Sequence, residues 1–191
     1  MDSSELFSRF SINRLDGEPV PDDLCILLPH RDELAERSGI RLVLDDDWAP
    51  WLDASGLQEA VRSDPDAAAN IRALSEVSRL IAFVAADPAN QFLGYWRGPA
   101  QRKVAESPLV VLDHSGQFHL CVSSTFAEAV LERAYGREGY AELRRWLQSL
   151  GITIGWETPN QLTFPHEKLL PKELHRQLFE RYRSSLRSQS Q

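Results

Sequence analysis

Short apolar runs alternate with turn-rich polar stretches along this chain, and their spacing changes from one region to the next. Leu6, Phe7 and Phe10 make a short amphipathic piece, followed by a loop carrying Gly17, Pro19 and Pro21. Pro29 stands where a helix can start, His30 to Ser38 continue it, and Gly39 fits the position just past its end, where left-handed backbone favours glycine. Ile40 to Leu44 reads as a strand that runs into Asp45-Asp46-Asp47-Trp48 and Pro50-Trp51. Asp64 can cap a helix whose first residue is Pro65, and Ile71, Leu74 and Val77 share one face of it. Leu80 to Val84 is continuously apolar, which suggests a strand covered on both faces.

The pattern then becomes a meander. Asp87-Pro88-Ala89-Asn90 reads as a turn, Phe92 to Trp96 as a second strand, and Leu109 to Leu112 as a third. Asp113-His114-Ser115-Gly116 has hairpin-turn chemistry, and Phe118 to Val122 returns as a fourth strand. Thr125 and Glu128 have capping-box spacing, with Phe126, Val130 and Ala134 on one helical face behind them. Tyr140, Leu143, Leu147 and Leu150 recur at helical intervals up to Gly151. Ile152 to Trp156 reads as a short β-branched strand, and Pro171 opens a last helix carrying Leu174, Leu178 and Tyr182. Trp146 lies off the apolar stripe of its helix, so cover by the C-terminal helix is expected. The expected fold is α+β: an antiparallel-rich sheet of about five or six strands packed with helices in one domain over residues 1–191. Its core is expected at about 24–135, with a helical extension at about 136–187.

Charge sharpens the picture once it is divided along the chain. Residues 1–66 hold 16 acids and 6 bases, a net of −10; residues 67–136 are neutral; residues 137–191 have a net of +3. A nucleic-acid binder needs a concentrated basic face, so direct nucleic-acid binding is not expected. An acidic first third suits a protein partner with a basic surface. The longest apolar stretch, Leu80 to Ala86, is far short of the roughly 20 residues a membrane helix needs, and MDSSELFSRF does not read as a secretory signal. Cys25 and Cys121 have no motif spacing and read as buried reduced thiols. A cytoplasmic location is the expectation.

Sequence patterns for common chemistries are missing. There is no Gly-x-Ser-x-Gly elbow, phosphate loop, dinucleotide fingerprint or His-Glu-x-x-His. His114 and His119, with Asp113, fall near one another across a hairpin but match no standard metal spacing. Asp45-Asp46-Asp47 admits three readings: a cation site, a solvated strand-end turn followed by two core tryptophans (Trp48 and Trp51), or an interaction patch. Neighbouring side chains of an extended strand point in alternating directions, and a calcium loop would space its ligands differently. In the interaction reading the carboxylates meet Arg or Lys of a partner, and Trp48 and Trp51 supply contact area. Asp45, Asp46, Asp47, Trp48, Trp51 and Asp53 are the candidate partner-binding residues. No catalytic residue, metal or cofactor is expected.

The stretch LIAFVAADPANQFLGYWRGP, with SPLVVLDHSGQFHLCVSSTFAEAVL after it, resembles the SUKH superfamily of cell-wall assembly regulators and bacterial immunity proteins. Leu80 to Ala86, Asp87, Phe92 to Trp96, Val110 to His114 and Ser123 to Phe126 fill its pattern of strands, Asp-containing turns and a Ser-x-x-Phe helix start. The family's Gly-rich first turn is replaced here by Asp87-Pro88-Ala89-Asn90, and only Leu28-Pro29 matches its N-terminal helix start. The resemblance covers roughly residues 79–134 and implies a non-enzymatic domain. Bacterial members of this kind neutralise a cognate toxin, often a nuclease, by binding it. The expected partner is therefore a cognate protein toxin with a basic surface, with no membrane and with a homodimer left open. A regulatory scaffold for an endogenous protein and a metal-dependent hydrolase using the aspartate run are the rival readings.

Overall fold

The computed structural model describes residues 2–45, 47–52 and 57–189, leaving aside the side chains of residues 58, 60, 62 and 189. The sheet is built first by local turns. Strands β1 (Arg41–Leu42), β2 (Ile81–Ala86), β3 (Phe92–Trp96), β4 (Leu109–Leu112) and β5 (Phe118–Leu120) lie in the order β1-β2-β3-β4-β5. Every neighbouring pair is antiparallel. The α+β class and the antiparallel meander expected from the sequence are thus present, with five strands among the described residues.

Alternation along the strands divides the core in two. Ala82, Val84, Leu93, Tyr95, Leu109 and Val111 face one side. Ile81, Phe83, Trp96, Val110, Leu112 and Phe118 face the other. Helices cover both faces, which explains why β2 is apolar at every position and buried throughout. The first face takes α1 (Ser3–Arg14), α2 (Asp22–Leu27), α3 (Arg31–Ser38), α6 (Phe126–Ala134) and α7 (Tyr140–Ser149), which bury Phe10, Leu24, Leu34, Phe126 and Leu147 there. The second takes α5 (Pro65–Ser78) and α8 (Pro171–Gln189), through Ala73, Val77 and Leu178. Each of the larger of these side chains, the Phe, Leu and Val residues, contributes about 1.5–3 kcal/mol on burial. The helices after residue 136 therefore belong to both layers: α7 joins the N-terminal helices, and α8 lies along α5.

Several local expectations change. Ile40 to Leu44 pairs only over Arg41–Leu42, extended by one bond from Val43 N–H to the Val84 carbonyl at 3.0 Å. Ile152 to Trp156 is not a strand of the sheet. Ile152, Ile154 and Trp156 are buried while Thr153 and Gly155 are exposed. The period of two is real, but it reports an extended segment laid on the core rather than a hydrogen-bonded ladder. Trp146 is buried, yet its cover is Arg37 of α3, 5.4 Å from the ring centroid, and not the C-terminal helix. Helix α2 and α4 (Leu57–Ser63) were not expected. They are six and seven residues long, too short to display a helical period.

Candidate protein-binding surface

The candidate residues fall on the loop between β1 and α4, with Asp46 and Asp53 outside the described residues. Asp45 and Asp47 are exposed, and Trp48 and Trp51 are half-buried. Helix α1 holds the loop from one side. Asn13 Nδ2 donates to the Leu44 carbonyl at 2.8 Å, and Arg14 Nη1 donates to the Trp48 carbonyl at 2.9 Å. The Arg14 guanidinium also sits 5.6 Å from the Trp48 ring centroid, and Arg9 reaches Asp45 at 3.4 Å.

The sheet holds the loop from the other side. The Trp48 and Trp51 rings meet edge to face at 4.8 Å, with an interplanar angle of 87°. Trp48 lies 5.5 Å from Phe92, and Trp51 lies 4.2 Å from Phe83. Aromatic pairs of this kind add about 0.5–1.5 kcal/mol beyond their buried area. The tryptophans are therefore anchored in the second layer and not free projections. Only part of each ring remains for a partner. That part borders a cleft of about 540 Å³ to which Phe92, Leu112, Asp87 and Asp113 also contribute.

Asp87 and Asp113, which the family resemblance singled out, are turn-forming groups at the edge of this cleft. Asp87 Oδ1 accepts from the Ala89 and Gln91 N–H groups at 2.9 and 3.0 Å, and its Oδ2 takes Arg133 at 2.7 Å. Asp113 Oδ1 accepts from Ser115 and Gln117 at 2.8 and 2.9 Å, and its Oδ2 meets His119 Nε2 at 2.8 Å. Burial pushes the Asp113 carboxyl up, but the Gln117 and Ser115 amides and His119 together hold it below the ordinary aspartate range. His114 lines a small neighbouring cavity with His119. Among the described residues, no three His, Cys, Asp or Glu side chains come together as a metal-ligating group.

Part of the charge asymmetry is consumed inside the molecule. Arg97, buried, is paired with Asp16 and with Glu18, the latter at 2.6 Å. Arg181 of α8 meets Glu76 of α5 at 3.2 Å, and Arg183 and Arg187 meet Asp66 at 3.1 and 3.2 Å. Asp2, Glu5, Asp22, Asp32 and Glu36 remain exposed on the N-terminal third, together with Asp45 and Asp47. The tethers Asn13 and Arg14, and the backing rings Phe83 and Phe92, escape sequence reasoning. Nothing local marks a contact between residues 34 positions apart.

No family model, no curated protein and no solved structure matches this chain. Among the described residues no helix is long and apolar enough to cross a membrane.

Proposed function

We propose that this protein is an immunity protein that binds a cognate antibacterial toxin, a nuclease with a basic surface, and neutralises it by contact without catalysis. The observation that carries the reading is the loop at 45–51: exposed carboxylates at Asp45 and Asp47 sit beside two tryptophans already fixed by Phe83, Phe92 and Arg14. Anchored aromatics lose little freedom on binding, and buried aromatic contacts dominate interface energies. The neighbouring acids supply attraction and register toward a basic partner. The resemblance in residues 79–134 is what narrows the partner to a toxin.

The test is capture of the tagged full chain from its native host, followed by mass spectrometry. A stoichiometric basic nuclease domain is the expected result. It should be lost or strongly depleted when Asp45→Lys and Asp47→Lys are combined, with circular dichroism unchanged. A housekeeping protein captured instead, and equally by both forms, would overturn the toxin reading in favour of a regulatory scaffold.

A further inference from the structure

A second cavity, of about 510 Å³, opens on the sheet face opposite the tryptophans. It lies between α2, the 104–107 turn, the start of α6 and the segment after α7. Val20, Ile26, Val104 and Ile152 give it apolar walls. Most of its polar side chains are already engaged. Ser107 Oγ donates to the Lys103 carbonyl at 2.8 Å, Ser124 Oγ donates to Glu128 at 3.0 Å, and Thr125 Oγ1 accepts from the Glu128 N–H at 3.3 Å.

Tyr95 differs. It is 3% exposed and lines this cavity, and its hydroxyl has no hydrogen-bond partner among the described residues. An unmade bond on a buried hydroxyl costs about 1–3 kcal/mol, so a group that fills it is expected. Asp23, which also lines this cavity, is the second group. Its Oδ2 accepts from the Ala127 N–H at 2.8 Å, which caps α6, but burial outweighs this and raises its carboxyl pKa. Its charge is close enough to act on Tyr95, raising the phenol further above a value already lifted by burial. Asp22 adds an exposed carboxylate at the same cavity.

We propose that this cavity receives a lysine or arginine side chain of a partner protein, its stem lying on Val20, Ile26 and Ile152 and its head donating to Asp23 and to Tyr95 Oη. The proposal rests on the reading of the chain as a protein-binding module and adds a second point of contact. A basic head supplies the donors that a carboxylate and a phenolic oxygen can both accept, and it compensates a charge that burial has disfavoured. An apolar occupant would leave the Tyr95 hydroxyl unpaired and the Asp23 charge uncompensated, and an anion would meet Asp22 and Asp23.

The test titrates the isotopically labelled full chain with two short capped peptides, Gly-Arg-Gly and Gly-Lys-Gly, read by amide NMR shifts. Their neutral counterparts, with citrulline and acetyl-lysine, serve as controls. The basic peptides should shift amides of α2 and residues 124–127, and the neutral ones should not. Tyr95→Phe removes a hydroxyl that makes no bond in the free protein, so its melting temperature should hold or rise. Its peptide affinity should nevertheless fall about tenfold, the value of one hydrogen bond to a charged group. Equal shifts from neutral peptides, no shift up to peptide solubility, or unchanged affinity in Tyr95→Phe would each overturn the proposal. Toxin capture through the 45–51 loop can succeed while these peptides fail, so the two readings are judged separately.

Discussion

One carboxylate, Asp113, organises the turn between β4 and β5 by accepting two backbone N–H groups and meeting His119. These bonds favour its charged form, so the folded pKa lies below the ordinary value of 3.8. Stability from this source is fully present above the ordinary aspartate pKa and is lost as pH falls through the lower folded value. Asp113→Asn keeps an acceptor and loses the charge. It should lower stability by on the order of 1 kcal/mol at pH 7, a typical difference between charged and neutral acceptors. The deficit should shrink below about pH 4 and vanish in stronger acid. A deficit constant from pH 7 to pH 2 in thermal melts would show that the charge is not the cause. The turn itself was legible, because Asp-x-Ser-Gly between apolar runs is a local signal. How far Trp48 and Trp51 belong to the core and how far to an exposed patch was not, because it depends on Phe83 and Phe92 arriving from elsewhere in the chain.

Strands and helices were readable to the degree that their neighbours are local. The β2–β5 meander and α5 through Asp64 and Pro65 follow from nearby turn and cap residues, and Asp64 does accept from the Asp66 and Ala67 N–H groups. The segment at 152–156 misleads because alternate burial does not distinguish a paired strand from an extended chain on a core. Two close approaches between elements yield predictions. A Cβ on Gly94 would stand 2.6 Å from the Ala82 carbonyl oxygen and 2.7 Å from Phe83 Cα, both backbone atoms of β2. Gly94→Ala should therefore destabilise by about 1–3 kcal/mol, as overpacked sites do, measured by denaturant unfolding. Leu186 of α8 is buried against Ala68 and Ala69 of α5. Leu186→Ala should cost about 2–5 kcal/mol, and a loss below about 0.5 kcal/mol would mean that α8 is not part of the cooperative unit.

At the scale of the whole molecule, helices cover both faces of the five-stranded sheet, so the proposed partner surface falls on a loop rather than on the sheet itself. Regional charge overstated the free acid, because α8 arginines return to Glu76 and Asp66 and Arg97 is closed by Asp16 and Glu18. Exposed acid remains on the N-terminal third, where Asp45 and Asp47 adjoin the anchored tryptophans. The central claim is that this loop grips a basic toxin. Its most direct test is the dissociation constant of the captured toxin domain for the parent chain and for the Asp45→Lys, Asp47→Lys variant, measured by calorimetry. A loss of about tenfold or more, equivalent to 1.4 kcal/mol, that narrows as salt rises is the expected result. Equal affinities at low and at physiological salt would contradict the account and place the interface elsewhere on the molecule.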